Sequence, residues 1–478
     1  MIRVLSLLVF AGAAMPGAEP IRLHPGNPHY FLFRGKPAVL ITSGEHYGAV
    51  LNLDFDYSRY LKTLAAGRLN LTRTFAGSYR EAPGSFNISD NTLAPKPDRF
   101  IAPWPRTDTP GAADGLGKFD LRRWNDAYFV RLKDFVRAAG ARGIVVEFTL
   151  FCPFYREEMW NLSPMNSRNN VNGAGDLKRT EAFNLKDARL QQVQDDMARK
   201  IVAELRGFDN VMYEICNEPY TFNTVTAEWE RHMAGVIAEA ESTAGPRHHI
   251  TQNVANGSKK VPAPDPRVSV FNFHYSRPPE SVALNRDLKR PIGCNETGFD
   301  GQADAVYRVQ GWEFILAGGA LYNNLDYSFA PGREDGTYAY PQQQPGGGSA
   351  TLRGQLRVLR DFMDSIGFVR MSPATSVLRS GAPEGASALI LAAPGKGYAL
   401  YLHHGRERSG RGAKYAVDPA PQIARLSLDL PAGSYRAEWI DTKNGKVAKR
   451  EDFSHGGGPR TLASPQYSED VALRVRSR

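Results

Sequence analysis

Hydrophobic residues fall into short runs that alternate with amphipathic segments between about residue 30 and residue 369. Each run has the length of a buried strand. Between the runs, apolar side chains recur at helical spacing, as at Leu190, Val193, Met197 and Ile201. Eight strand–helix units over roughly 330 residues predict an α/β fold, a parallel (β/α)8 (TIM) barrel. The predicted strands span residues 38–43, 69–75, 143–151, 211–216, 249–254, 268–273, 291–295 and 320–325.

The pattern changes after residue 369. Helical periodicity stops, and short segments of alternating apolar and polar residues follow. Asn444-Gly445 is typical of a hairpin turn, because both residues accept positive φ. The alternation predicts a C-terminal antiparallel β-sandwich. We therefore expect a barrel over residues 19–369 and a β-sandwich over 370–478, with strands at 388–392, 398–403, 424–428, 435–441 and 471–475.

The first 18 residues have the three parts of a secretory signal peptide. Arg3 provides the basic start, residues 4–14 the apolar stretch and residues 11–18 several small residues for cleavage. The sequence therefore predicts a secreted or periplasmic protein. The apolar stretch is too short to cross a bilayer, so we expect no stable membrane insertion.

Charge argues against one class of partner. The 59 basic and 50 acidic residues give a net charge of +9, with the basic residues mostly scattered. A nucleic-acid-binding protein more often has a concentrated basic stripe. The sequence therefore predicts no nucleic-acid partner, and it gives no indication of the oligomeric state.

Two of the predicted strands end with a carboxylate. Glu218 follows Cys216-Asn217 on the fourth strand, and Glu296 follows Cys294-Asn295 on the seventh. A buried charge is costly without a partner, and barrel enzymes carry catalytic groups at the carboxyl ends of their strands. Paired carboxylates across a cleft are what glycosidic bond cleavage requires. A separation of about 5 Å predicts retention of anomeric configuration, and a wider gap predicts inversion.

The three cysteines, Cys152, Cys216 and Cys294, are too few for a disulfide framework and lack close metal-ligand spacing. Cys216 and Cys294 each lie two residues before a candidate glutamate. Because alternate residues share a strand face, we expect both thiols to point inward beneath the site as small apolar filler.

Other side chains lie where a barrel builds its site, at the ends of predicted strands or in the long loop 152–185. One is a tryptophan that can stack against a sugar. Each has a structural alternative: a network in the first loop, a buried core histidine, or loop packing. These candidates for substrate binding are Glu45, His46, His274, Tyr275, Trp160, Asn323 and Asp326.

Asn217-Glu218-Pro219 with Glu296 resembles glycoside hydrolase clan A, the retaining (β/α)8 enzymes that include the cellulase-like family 5. The resemblance implies that Glu218 is the general acid/base and Glu296 the nucleophile. It also implies that Asn217 binds the sugar 2-hydroxyl. Arg73 resembles the clan's strand-two arginine, which supports the nucleophile.

The resemblance extends to the ends of the barrel. Residues 30–37 resemble the short hairpin that precedes the first strand in clan members, and the C-terminal module resembles a small β-domain of the collagen-binding type. His274-Tyr275 matches the clan's His-x-Tyr region in part, which implies that one of the two binds the nucleophile or the substrate. The eighth strand ends in Leu325-Asp326-Tyr327, without the tryptophan platform of many cellulase-like members, which disfavours ordinary cellulose.

Together these features predict a retaining glycoside hydrolase that cleaves β-glycosidic bonds of a polysaccharide or oligosaccharide by double displacement, with no metal and no organic cofactor. Two alternatives remain open. One is a non-catalytic, secreted carbohydrate- or matrix-binding protein. The other is a transglycosylase that uses the same two glutamates and passes the sugar to a second acceptor.

Overall fold

The computed structural model describes residues 19–241, 246–407 and 415–478, and the predicted signal peptide lies outside these residues. Eight parallel strands form one sheet, which confirms the predicted barrel, and each strand lies within two residues of its predicted bounds. In chain order they are β1 (Leu40–Gly44), β2 (Leu71–Phe75), β3 (Val145–Phe151), β4 (Val211–Cys216), β5 (His249–Asn256), β6 (Val270–His274), β7 (Ile292–Thr297) and β8 (Leu321–Leu325).

Neighbouring strands pair in parallel from β2 through β8 and on to β1. Within the described part of the chain, no backbone ladder joins β1 to β2. Asn70 bridges this seam instead, with one backbone bond from its N–H to the carbonyl of Ile41 at 3.2 Å and two bonds of its side chain. The N–H of Ile41 donates to Oδ1 of Asn70 at 2.8 Å, and Nδ2 of Asn70 donates to the carbonyl of Val39 at 2.9 Å. One asparagine therefore completes the ring that the strands leave open.

Helices surround the barrel, and several begin at a side chain that satisfies free backbone N–H groups. Asp56 and Asp187 each accept two such bonds, and Ser349 accepts one. In the described residues, no helix combines the length and the hydrophobicity needed to cross a membrane. The helices are α1 (Tyr57–Ala66), α2 (Asp126–Gly140), α3 (Glu157–Leu162), α4 (Ala188–Leu205), α5 (Ala227–Ala240), α6 (Glu280–Leu284), α7 (Asp304–Leu316) and α8 (Ala350–Ile366). Single 3₁₀ turns span Ser85–Asn87, Pro97–Arg99, Ser167–Asn169, Arg179–Glu181, Thr221–Asn223, Arg286–Leu288, Phe368–Arg370 and Thr375–Val377.

A small antiparallel sheet of Arg22–Leu23, Phe31–Phe33 and Lys36–Ala38 precedes β1, as the resemblance implied. Its turn residue Arg34 binds Asp209, just before β4, through Nε at 2.6 Å. The sheet therefore packs at the amino ends of the barrel strands, opposite the end where barrel enzymes build their sites.

The C-terminal region consists of antiparallel sheets around a second apolar core that includes Leu426, Trp439 and Leu473. This confirms the predicted β-sandwich. Its larger sheet has the order Ser372–Pro373, Ser387–Ala393, Gly397–His403, Asp470–Ser477, Gly433–Ile440 and Val447–His455. Its smaller sheet contains Leu378–Ser380, Arg425–Leu430 and Gly458–Ala463, and short pairs join Gly405–Glu407 to Tyr415–Val417 and Pro421–Gln422 to Tyr467–Ser468.

Helix α7 joins the barrel to the β-sandwich. Nη2 of Arg308 lies 2.9 Å from Oδ1 of Asp470 and 2.7 Å from Oε2 of Glu469. One helical turn later, the ring of Trp312 stacks on Tyr401 with centroids 5.3 Å apart. The domain boundary at residues 369 and 370 stays a prediction, but this interface combines a buried ion pair with aromatic packing.

Candidate active site

Glu218 and Glu296 converge at the carboxyl end of the barrel. Glu218 follows β4, and Glu296 lies near the end of β7. Carboxylate oxygens of the two glutamates and a ring nitrogen of His274 lie within 4.8 Å of one another. Both glutamates line a cavity of about 100 Å³. The structure thus brings together the two residues that the sequence selected first.

Three donors hold the Glu296 carboxylate. The hydroxyl of Tyr275 donates to Oε1 at 2.5 Å, and the hydroxyl of Tyr47 donates to Oε2 at 2.8 Å. Nη1 of Arg73 donates to Oε2 from 3.4 Å. Donors on both oxygens fix the orientation of the carboxylate.

Glu218 has a different set of partners. The hydroxyl of Tyr155 donates to Oε2 at 2.7 Å, and Nδ1 of His274 lies 3.2 Å from Oε1. Burial alone would raise the pKa of Glu218, but the hydrogen bond and charge of His274 and the bond from Tyr155 outweigh it and lower the pKa. Conversely, burial would lower the pKa of His274, but the charge of Glu296 and the bond to Glu218 raise it. The pair therefore favours an imidazolium beside a carboxylate.

The backbone at the site is strained. Glu218 has φ of 38° and Tyr275 has φ of 51°, in the left-handed region that side chains with a Cβ rarely adopt. The N–H of Glu218 donates to Oδ1 of Asn253 at 3.1 Å, which holds this turn in place. Such conformations persist where surrounding contacts enforce them, and they concentrate at functional sites.

Arg73 links the site to the barrel interior. Its Nε donates to Oε2 of Glu214 at 2.7 Å, and its Nη2 donates to Oδ1 of Asn217 at 2.6 Å. Burial would lower the pKa of Arg73, but the charges of Glu214, Tyr47 and Glu296 raise it well above its usual value. Nδ2 of Asn217 in turn donates to the hydroxyl of Tyr155 at 2.7 Å. One buried guanidinium therefore positions groups around both glutamates.

A further buried carboxylate, Glu147, lies beneath this layer. It accepts hydrogen bonds from Thr251 at 2.9 Å, Asn272 at 2.6 Å and Asn295 at 3.1 Å. Burial, together with the nearby charge of Glu214, raises the pKa of Glu147 to about 7. Gly293 leaves room for this network, because a Cβ there would lie 2.1 Å from Oδ1 of Asn272.

An irregularity in β7 places Glu296 at the cavity. Gly293 and Asn295 face the barrel interior, so regular alternation would turn Glu296 outward with Cys294. The strand register shifts between Cys294 and Glu296, which brings Glu296 round to the site. The prediction that Cys294 points inward is therefore wrong, whereas Cys216 shares the face of Glu214. The third thiol, Cys152, lines the cavity.

The two candidates after β1, Glu45 and His46, differ in position. His46 lines the cavity, with Nε2 at 3.4 Å from Oε1 of Glu81. The carboxylate of Glu45 turns away and accepts the backbone N–H groups of Gly48 and Ala49 at 2.9 and 3.1 Å. Glu45 thus stabilises the first loop. This is the structural role that the sequence left open for it, and not a role in substrate binding.

Five other candidates also lie outside the cavity lining. Arg73 and His274 bind the glutamates that line it, and the other three have structural partners. The indole of Trp160 is buried against Phe154 and donates to the Leu177 carbonyl at 3.0 Å, so the ring fixes a loop and offers no sugar platform. Asn323 donates to the Asn295 carbonyl at 3.0 Å. Asp326 pairs with Nη1 of Arg353 at 2.6 Å, which neutralises a buried charge.

Sequence reasoning missed several residues of the site. Tyr47 follows a strand end, but a single tyrosine in a loop carries no spacing signal. Glu214 was detectable, because a lone carboxylate inside the apolar strand Tyr213-Glu214-Ile215 requires a buried partner. The cavity also has an aromatic wall, which consists of Tyr47, Phe75, Tyr79, Phe86, Tyr155 and Phe299.

The cluster of Glu218, His274 and Glu296 has donor atoms close enough to bind a metal ion. Its chemistry does not fit one. The carboxylate oxygens already accept hydrogen bonds from tyrosines, and the guanidinium of Arg73 lies 3.4 Å from Glu296. A metal cation bound here would be repelled by this fixed positive charge. A sugar that develops a partial positive charge at one carbon would be stabilised by the two carboxylates.

No protein-family model and no curated protein sequence matches the chain. Solved structures do match. A candidate glycoside hydrolase from Bacteroides vulgatus aligns with a TM-score of 0.66 at 14% identity, over 98% of this chain and 84% of that chain. A family 5 glycoside hydrolase from the same species gives 0.61 at 12% identity, over 96% and 94%. The endo-1,4-beta-mannanase of Rhizomucor miehei gives 0.50 at 13% identity, over 72% and 99%. The chain therefore shares the fold of solved glycoside hydrolases.

Proposed function

We propose that the protein is a retaining glycoside hydrolase that cleaves β-glycosidic bonds by double displacement. The observation that carries the proposal is the approach of Glu218 and Glu296, since one carboxylate oxygen of each lies within 4.8 Å of the other. Retaining enzymes hold their carboxyl groups about 5–5.5 Å apart, whereas inverting enzymes need about 6.5–9.5 Å to admit a water molecule.

Glu296 is the nucleophile in this proposal. Its hydroxyl and guanidinium donors aim an ionised carboxylate into the cavity, so that it attacks the anomeric carbon and forms a glycosyl–enzyme ester as the glycosidic C–O bond breaks. Glu218 donates a proton to the departing oxygen. It then removes a proton from the water that cleaves the ester, which returns Glu218 to its protonated form and Glu296 to its carboxylate.

His274 supplies a place for the catalytic proton. In the free protein the lowered pKa of Glu218 and the raised pKa of His274 keep the proton on the imidazole. Nδ1 of His274 lies 3.2 Å from Oε1 of Glu218, within reach for transfer. The proton passes from His274 to Glu218, which donates it to the leaving oxygen. In the second step Glu218 takes a proton from the attacking water and returns it to His274, so the two residues act as one acid/base.

The substrate is a carbohydrate in this proposal, either a polysaccharide or its oligosaccharides. The signal-like residues 1–18 favour action outside the cytoplasm. The C-terminal β-sandwich supports the barrel through Arg308 and Trp312, and its resemblance to collagen-binding domains stays a prediction.

Mechanism-based labelling tests the proposal. A panel of 2,4-dinitrophenyl 2-deoxy-2-fluoro-β-glycosides should inactivate the protein and add one fluorosugar to the peptide that contains Glu296. Glu296→Gln should lose the label and the activity. Glu218→Gln should still be labelled, because dinitrophenolate leaves without a proton, but it should turn over natural glycosides at least about 10²-fold more slowly.

Glu230→Gln is a matched control, since Glu230 is a glutamate of α5 whose carboxylate accepts from Gln252 outside the cavity. It should keep wild-type activity. Labelling at another residue, or inverted product by NMR, would overturn the proposal. Products lengthened by sugar transfer, with Glu296 labelled, would identify a transglycosylase.

A further inference from the structure

The cavity contains a second polar cluster that the catalytic steps do not use. His46 comes from the loop after β1 and is 9% exposed, and Glu81 comes from the loop after β2 and is 3% exposed. Among the described residues, neither ring nitrogen of His46 has a hydrogen-bond partner of good geometry. Buried polar atoms without partners are rare and costly, so this pair is prepared for a ligand.

Glu81 has spare capacity to accept hydrogen bonds. The hydroxyl of Tyr79 donates to its Oε1 at 3.1 Å, and Nδ2 of Asn91 donates to its Oε2 at 2.5 Å. An ionised carboxylate offers about four acceptor sites, so each oxygen can accept another hydrogen. Neighbouring hydroxyl groups on a sugar ring provide two such hydrogens, and His46 adds a third polar contact.

The wall that carries Glu81 is firmly held. The N–H of Glu81 donates to the Leu93 carbonyl at 2.8 Å, and the N–H of Ser89 donates to Oε1 of Gln344 in the loop after β8 at 3.0 Å. The ring of Phe86 meets Tyr155 edge-on at 5.5 Å. These contacts fix Glu81 without a ligand, so binding costs little ordering of the loop.

Size limits what the cavity accepts. Its volume of about 100 Å³ is well below the ~300–1,000 Å³ typical of ligand pockets. One sugar ring is the largest unit that fits beside the two catalytic carboxylates. In a retaining reaction the ring that is transferred to Glu296 is the one on the non-reducing side of the broken bond. The small volume therefore favours a ring that is the end of its chain over a ring with a further sugar behind it.

We propose that Glu81 and His46 bind hydroxyl groups of a single terminal sugar ring, so that the enzyme removes one residue at a time from non-reducing ends. This inference rests on the proposed function, because the same cavity and the same glutamates are used.

The first test is the product pattern. Reducing-end-labelled β-linked gluco-, manno- and xylohexaose are incubated with the full-length protein, and the products are separated over time. Stepwise appearance of the labelled pentasaccharide, tetrasaccharide and trisaccharide is expected. Early release of labelled dimers or trimers, without the pentasaccharide, means internal cleavage and overturns the inference.

The second test examines Glu81 and His46 directly. Glu81→Gln and His46→Gln should each lower kcat/KM on the preferred aryl glycoside by about 10- to 100-fold, while the Glu230→Gln control stays within twofold of wild type. Each variant is then assayed with the monodeoxy analogues of that glycoside. At least one analogue should be slower than its parent with wild type and equal to it with Glu81→Gln, because the lost hydroxyl and the lost carboxylate belong to one hydrogen bond.

A full deoxy penalty in Glu81→Gln for every analogue, or unchanged kcat/KM in both variants, overturns the inference. The fluorosugar experiment distinguishes failure of this inference from failure of the proposed function. Wild type that is labelled on Glu296 but cleaves internally defeats only the inference. Wild type that is neither labelled nor active on any glycoside defeats the proposed function, and the inference with it.

Discussion

The Nδ1 atom of His274 lies 3.2 Å from Oε1 of Glu218, and the histidine is fully buried. The charge of the two glutamates raises the pKa of His274 above 6.5 despite burial, and His274 in turn lowers the pKa of Glu218. Since the two groups share one proton, they titrate as a pair. The proton that leaves last as the pH rises is the one on His274.

This pairing predicts how activity depends on pH. The alkaline limb of kcat/KM in wild type should lie above pH 6.5, because the catalytic proton is lost only as the pH rises through the raised pKa of His274. In His274→Gln only Glu218 can hold the proton, so we expect the limb to move to lower pH. The measurement is the pH–rate profile of both proteins, with circular dichroism at each pH as a control. An unmoved limb would mean that His274 does not hold the proton.

The hydroxyl donors to Glu296 should contribute directly to rate. Tyr275→Phe removes the 2.5 Å bond to Oε1, and Tyr47→Phe removes the 2.8 Å bond to Oε2. Each bond to a charged group contributes about 1.5–3 kcal/mol, so kcat/KM should fall by roughly 10- to 100-fold in either variant. Steady-state kinetics on an aryl glycoside measure this, with thermal melting to verify folding. A change below twofold in both variants contradicts the assigned orientation of Glu296.

The ion pair of Arg73 with Glu214 predicts a stability effect with a rescue. Arg73→Met leaves the fully buried Glu214 carboxylate without its cation, which should reduce the free energy of unfolding by about 3–5 kcal/mol. Arg73→Met/Glu214→Gln removes both charges and should recover part of that loss. Urea unfolding of the two variants and of Glu214→Gln completes the cycle. Strictly additive losses would show that the two side chains are not energetically coupled.

Glu230 predicts a pH-dependent stability. Burial raises its pKa from 4.5 to about 7, so between these pH values the folded state holds a proton that the unfolded state has released. Its contribution to stability is therefore greatest at low pH and is lost as the pH rises through about 7. The Tm of Glu230→Gln minus that of wild type should increase from pH 5 to pH 8, by about 2–4 °C if 1 kcal/mol is involved. A constant difference across this range would contradict the raised pKa.

The interface on α7 predicts that the barrel depends on the β-sandwich. A chain that ends at residue 369 loses the partners of Arg308 and Trp312, which exposes a buried cation and an indole. We expect it to aggregate or to melt at least several degrees below the full chain, because both losses are in buried contacts. Arg308→Met in the full chain should cause a smaller loss than the truncation. A truncated barrel as stable as the whole protein would show that the two parts are independent.

The strands could be predicted because their apolar runs are long and evenly spaced, as in β3 and β4. Glu218 and Glu296 could be predicted because a charge at the end of a buried strand is conspicuous. The register shift before Glu296 could not, since no residue pattern marks it, and this made the orientation of Cys294 wrong. Position at a strand end also failed to distinguish His46, which lines the cavity, from Glu45, which binds backbone N–H groups.

Asn70 makes the join between β1 and β2 unlike the other joins of the ring, because its side-chain amide and a single backbone N–H take the place of a strand ladder. If the barrel ever opens, this is where it can part with the fewest backbone bonds to break. Breathing motions of the enzyme would then start beside β1, whose loop carries His46 and Tyr47. Faster hydrogen exchange at the Ile41 N–H than along β3 and β4 would reveal this opening. It would connect the rate of substrate entry to one asparagine.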